Sequence, residues 1–182
     1  QGYALGLLHR YPEKIQKMGQ LSSRYPRSDY ADDALYETAR AHLQLDQNEE
    51  AIKMYTRILG QYPNSNKAAK AALELSMTYR TLKQYDKAIQ AYKNTIQKYA
   101  GSEEAYAALE GLEQVYVETN NISDYLAYTK TLNKINMRTS SQEDSLVYVT
   151  AELQYIMGNY EEAAAGMTTY ITSFCPGGRY CV

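Results

Sequence analysis

Arg24–Ala34 reads RYPRSDYADDA, Gln61–Ala71 reads QYPNSNKAAKA, and Lys98–Ala108 reads KYAGSEEAYAA. The three stretches begin 37 residues apart. A second motif runs out of phase with the first: NEEAIKMYTRIL from Asn48, YDKAIQAYKNTI from Tyr85 and YEEAAAGMTTYI from Tyr160, with a degenerate copy, ISDYLAYTKTLN, from Ile122. Two interleaved motifs at one period mean that each repeat holds two structural elements.

Both elements read as helices. Ala51, Tyr55, Ile58 and Tyr62 fall at i, i+4, i+7 and i+11, one face of a 3.6-residue period, and Ala88, Tyr92, Ile96 and Tyr99 nearly repeat it. The first element of each repeat is rich in Ala, Leu, Glu and Lys, which favour helix. No stretch alternates apolar with polar residues, and no Asn-Gly or Asp-Gly hairpin turn occurs. Pro12, Pro26, Pro63 and Pro176 lie where helices begin or end. Ser28, Ser65 and Ser102 are N-cap candidates for the helices that follow them, and Asp29, Asp32, Asp33, Glu103 and Glu104 suit the positive end of a helix dipole. A helix pair of this length cannot bury its apolar stripe alone, so neighbouring pairs must stack. The expected architecture is an all-α solenoid of about four and a half pairs, forming a single array over residues 1–182. Its parts are a partial repeat in 1–25, pairs near 28–62, 65–99, 102–136 and 140–174, and the start of a truncated repeat in 175–182.

The chain holds 20 tyrosines against one phenylalanine and no tryptophan. At helix–helix interfaces a tyrosine ring fills volume while its hydroxyl reaches a partner at the wet edge. With 19 basic and 21 acidic residues the net charge is −2, which argues against nucleic acid as a partner. No run approaches the ~18–20 uninterrupted apolar residues of a membrane-spanning helix. The amino terminus lacks both an initiator Met and signal-peptide order, as expected of a piece of a longer protein. Charge is unevenly spread: residues 1–100 carry 15 basic and 10 acidic side chains, residues 101–182 carry 4 and 11. Opposite ends of opposite sign could steer a partner or favour head-to-tail self-association.

A two-helix unit with small and aromatic residues at these places resembles the tetratricopeptide repeat. In the first full repeat the pattern's small residues fall on Ala39 and Ala51, its aromatic on Tyr55 and its closing proline on Pro63. The next matches at Leu75, Ser76, Tyr79, Tyr85, Ala88 and Tyr92; the third at Leu112, Tyr116 and Ile122, with Tyr125 in place of the alanine; the fourth at Ala151, Tyr160 and Ala163, with Met167 in the aromatic place. The usual first-helix tryptophan is absent, with Leu35, Ala72, Leu109 and Val147 near its place. The resemblance implies a right-handed α-α superhelix. The 37-residue period and the YPxSxxAxxA junction are similar to the repeats of bacterial cell-envelope proteins, such as the periplasmic coordinator of the Tol–Pal system and the lipoproteins of β-barrel assembly. That likeness implies a protein-binding scaffold in the periplasm or at the outer membrane.

Nothing in the sequence points to catalysis. No HExxH, paired CxxC, P-loop or GxSxG occurs, and His42 reads as a packing residue. No metal or cofactor is expected. Cys175 and Cys181, in CPGGRYC, could form a disulfide across a Gly-rich turn. The favoured expectation is instead two free thiols, with Cys181 in the small buried site held earlier by Ala31, Ala69 and Ala105. The resemblance places ligand binding on a concave surface of first helices, here Tyr36, Arg40, Leu43, Lys70, Met77, Arg80, Glu110, Gln114, Tyr148, Glu152 and Tyr155. Aromatics, Met and Arg suit protein recognition. The Lys/Asn clamp that some family members use for acidic chaperone tails is missing, because Tyr36 and Arg40 stand in its place. The expected partner is a protein or peptide segment. Two other readings stand beside it: an envelope glycan-binding module with Tyr36, Tyr148 and Tyr155 stacking on sugars, and a cytoplasmic regulatory array.

Overall fold

The computed structural model describes residues 2–119, 121–132, 140–175, 177 and 180–181. Among these residues the chain forms helices and no strand. The helices are α1 (Gly2–Leu7), α2 (Tyr11–Arg24), α3 (Ala31–Leu43), α4 (Asn48–Gln61), α5 (Ala68–Thr81), α6 (Tyr85–Lys98), α7 (Glu103–Glu118), α8 (Ile122–Leu132), α9 (Ser140–Ile156) and α10 (Tyr160–Phe174). Extensive packing joins helices that are neighbours in sequence, as an all-α repeat fold requires. The chain divides into two compact units, Gln1–Val115 and Tyr116–Val182.

One turn joins the helices of a pair, and it recurs. His9, Asp46 and Lys83 each take the left-handed conformation at φ 55°, and Gly158 takes it at φ 81°. The amide after each reaches back five residues to a helix carbonyl: Arg10 to Leu5, Gln47 to His42, Gln84 to Tyr79, and Asn159 to Gln154, each at 2.9 Å. This is the Schellman closure, in which the left-handed residue lets two orphan carbonyls be satisfied. Glycine is the usual occupant, and each non-glycine residue there carries roughly 1–2 kcal/mol of backbone strain.

The serines behave differently from the expectation. Ser102 is a true N-cap, its hydroxyl accepting from the Ala105 amide at 3.1 Å. Ser28 and Ser65 instead lie ahead of helices that begin at Ala31 and Ala68. Their hydroxyls accept from the Tyr30 and Lys67 amides, while their carbonyls accept from Ala31 and Ala68. Helix formation is delayed by this extra turn, and Pro26 and Pro63 just before it cannot extend the preceding helix. Pro176 lies outside the described residues.

The core of the first unit gathers Leu35, Tyr36 and Ala39 of α3, Ala51, Ile52, Tyr55 and Ile58 of α4, and Ala71 and Leu75 of α5. Small residues let the helix axes approach, and tyrosines fill the gaps. Tyr92 lies so close to α7 that a Cβ on Gly111 would stand 2.6 Å from its ring. The expectation that tyrosine hydroxyls find partners at the wet edge holds for Tyr62, which donates to the Pro26 carbonyl at 2.6 Å. It fails for Tyr55, which is wholly buried with its hydroxyl unpartnered, because the ring runs through the pair interface and never reaches water.

In the second unit Tyr125 is buried against Tyr116, ring centroids 6.0 Å apart. Helices α9 and α10 meet at small residues: a Cβ on Gly166 would lie 2.8 Å from the Ala151 Cβ. The free-thiol expectation is overturned here, since Cys175 and Cys181 form a disulfide with Cα atoms 5.7 Å apart. Cys175 leaves α10 in extended conformation at φ −82°, ψ 142°, so the chain turns back. Cys181 therefore meets Cys175 and does not fill a small site on a further helix.

Candidate functional site

In the first unit the first helices of successive pairs, α3, α5 and α7, stand side by side. Two contacts link α3 to α5: the ammonium of Lys67, just ahead of α5, lies 3.0 Å from Asp33 and 5.9 Å over the Tyr36 ring, and the Tyr36 hydroxyl faces the Glu74 carboxylate. Arg80 donates from Nη1 to Gln114 Oε1 and joins α5 to α7.

A polar network lies beneath this face. Glu37, nearly buried, pairs with the equally buried Lys14 of α2 and has Arg40 3.8 Å away. Burial raises the Glu74 carboxyl above its ordinary range, opposed by Arg40 and by the Tyr36 hydrogen bond. Burial, assisted by Glu74, pushes the Tyr36 phenol up to about 12, and burial raises Tyr55 further in the same direction. Both phenols stay protonated at physiological pH, so Tyr36 acts there as a donor. Removing Lys14 would leave Glu37 as a buried charge with only a distant partner, a costly state.

The residues expected from the sequence divide into three groups. Arg40, Lys70, Met77, Glu110 and Gln114 are exposed on the first unit, with 58% of the Arg40 side chain and 48% of Met77 open to solvent. Leu43 and Arg80 are half-buried at its edge, and Tyr36 is buried, presenting no ring face to a ligand. In the second unit Glu152 and Tyr155 are exposed, and the Tyr155 ring contacts Tyr160 at 5.5 Å. Tyr148 turns inward: it stacks on Tyr180 at 4.3 Å and meets Tyr170 edge-on at 5.4 Å.

Lys14, Glu37 and Glu74 were missed. Their signal is periodic: Glu37 and Glu74 occupy one register position, 37 residues apart, inside otherwise apolar helix faces. His42 is half-buried and hydrogen-bonds through Nδ1 to Gln47 Oε1 at 2.7 Å, bracing the α3–α4 turn. Among the described residues no cluster of three or more His, Cys, Asp or Glu side chains is placed to hold a metal, and no helix is long and apolar enough to cross a membrane.

Residues 33–65 and 70–102 match the tetratricopeptide repeat family. No curated protein matches the chain in sequence. Among solved structures it is similar to MamA, at 13% identity over 94% of this chain and 93% of that one, TM-score 0.63. The nearly identical tetratricopeptide-like repeats of a kinesin light chain from Podosopora anserina align at 13% identity over 94% and 90%, TM-score 0.60. BtubC from P. vanneervenii aligns at 14% identity over 89% and 69%, TM-score 0.57. The family match covers these two segments, and the solved structures share the all-α repeat fold of the chain.

Proposed function

We propose that this chain is a non-enzymatic scaffold of the bacterial cell envelope that holds an extended segment of another protein along the α3, α5 and α7 face of its first unit. The observation that carries the reading is the pairing of exposed Arg40, Lys70 and Met77 with a fixed polar network directly beneath them. A preorganised surface spends little ordering entropy on binding. Basic groups beside Met77 and Leu43 suit a segment with acidic residues next to apolar anchors. The envelope assignment is supported by the Cys175–Cys181 bond, since disulfides persist in oxidising compartments. Of the three tyrosines of the glycan reading, Tyr36 is buried and Tyr148 is stacked on Tyr180, which leaves Tyr155 as the exposed ring.

Selection of peptides from a random display library tests this. The wild-type chain should enrich acidic, apolar segments, and Arg40→Glu combined with Met77→Asp should weaken their binding by about tenfold or more. Equal affinity for both chains would place binding elsewhere.

A further inference from the structure

A second surface lies elsewhere on the first unit. In the first unit α4, α5 and α6 enclose a groove of about 840 Å³, the scale of a ligand cleft. Leu59, Ala72, Leu75 and Tyr79 supply apolar lining, and one face of α6 forms a wall. Lys87 and Lys98 also line it, 5.6 Å over the Tyr79 ring and 5.4 Å over the Tyr99 ring. The Tyr99 hydroxyl is enclosed there with no hydrogen-bond partner, whereas its counterpart one repeat earlier, Tyr62, donates to the Pro26 carbonyl. The groove therefore offers apolar lining and two cations beside one acidic side chain, Asp86.

The second unit carries a shape of complementary chemistry. At the α9–α10 turn Tyr155, Ile156 and Tyr160 are 64%, 65% and 64% exposed, and Met157 is 41% exposed. The register position of Ile156 holds Leu7, Gln44 and Thr81 in earlier turns; Leu7 is also exposed, but Arg10, Pro12 and Glu13 follow it, so the apolar turn joined to an acidic pair is found at Ile156. Glu161 and Glu162 follow in the first turn of α10, a helix without a basic residue.

We propose that the 155–160 turn of one copy of this chain inserts into the α4–α5–α6 groove of a second copy, with Glu161 and Glu162 facing Lys87 and Lys98. The excess of basic groups in residues 1–100 and of acidic groups in 101–182 steers the same encounter. Such a contact joins unlike surfaces, so it either closes into a ring or propagates from copy to copy. It uses neither Arg40 nor Met77 and stands independently of partner binding on the first-helix face.

Sedimentation equilibrium over a concentration series, at low and high salt, tests it. The wild-type mass should rise with concentration and fall with added salt. Ile156→Asp should weaken the association constant by about tenfold or more. Lys87→Glu with Lys98→Glu, and separately Glu161→Lys with Glu162→Lys, should each remove self-association, and an equimolar mixture of these two chains should restore it. A wild type that stays monomeric, an unchanged Ile156→Asp variant, or a mixture that fails to re-associate would each overturn the proposal. So would a monomeric wild type whose groove takes an unrelated acidic amphipathic helix, since the occupant would then be a different chain.

Discussion

The α3–α4 pair and the α9–α10 pair follow one template and are held by different means. Both have an alanine at the first-helix small position, Ala39 and Ala151, and another at the start of the second helix, Ala51 and Ala163, all buried. In the first pair Tyr55 sits between helices, and the next helix contributes Ala71 and Leu75 to the same cluster. In the last pair the aromatic place holds Met167, and the large rings lie instead around the C-terminal segment: Tyr148, Tyr170, Phe174 and Tyr180. The Tyr170 hydroxyl accepts from the Tyr180 amide at 2.8 Å beside the disulfide. A repeat can thus draw its stability from stacking, or from a covalent clasp and an aromatic cluster of its own.

The sharpest way to break this contrast is to truncate Tyr55. Tyr55→Ala should cost about 3–5 kcal/mol by emptying a fully buried site. Tyr55→Phe should be neutral or slightly stabilising, since it removes only a buried hydroxyl that lacks a partner. Denaturant titration reads both, and a large loss in the Phe variant would show that the hydroxyl is satisfied. Next in size, Cys175→Ser with Cys181→Ser should cost about 2 kcal/mol, the loop-closure entropy of a short ring. Hydrogen exchange should quicken in α10 while α3 and α4 keep their protection. Equal quickening in both pairs would deny that the clasp acts locally. The smallest effect concerns what the pairs share: Lys83→Gly should stabilise by roughly 1 kcal/mol through relief of left-handed strain, seen as a raised melting temperature. Gly158, already at that place, marks the last turn as the relaxed form.

Helix positions were legible because hydrophobic spacing and a 37-residue period both report burial, and burial decides a repeat fold. The turns were harder to read. Asp46 and Lys83 carry no glycine signature, yet the Schellman bonds hold them left-handed, so the cue was register alone. The disulfide escaped for a related reason: repeat register placed Cys181 on a further helix, whereas the chain reverses after Phe174. Among the face residues, exposure followed the helix period for Arg40, Lys70, Met77 and Gln114. It failed at Tyr148, because a pattern cannot foresee that a ring from the C-terminal segment, Tyr180, will cover it.

The recurring turn has a mechanical consequence. Its closing bonds span five residues, and the extensive helix packings join only sequence neighbours, so each pair can yield without first dismantling a distant one. Under tension a chain so built lengthens in discrete steps. Each 37-residue repeat would release about 120 Å of contour. Near the carboxyl end, the disulfide shortens that release by withholding the residues inside its ring.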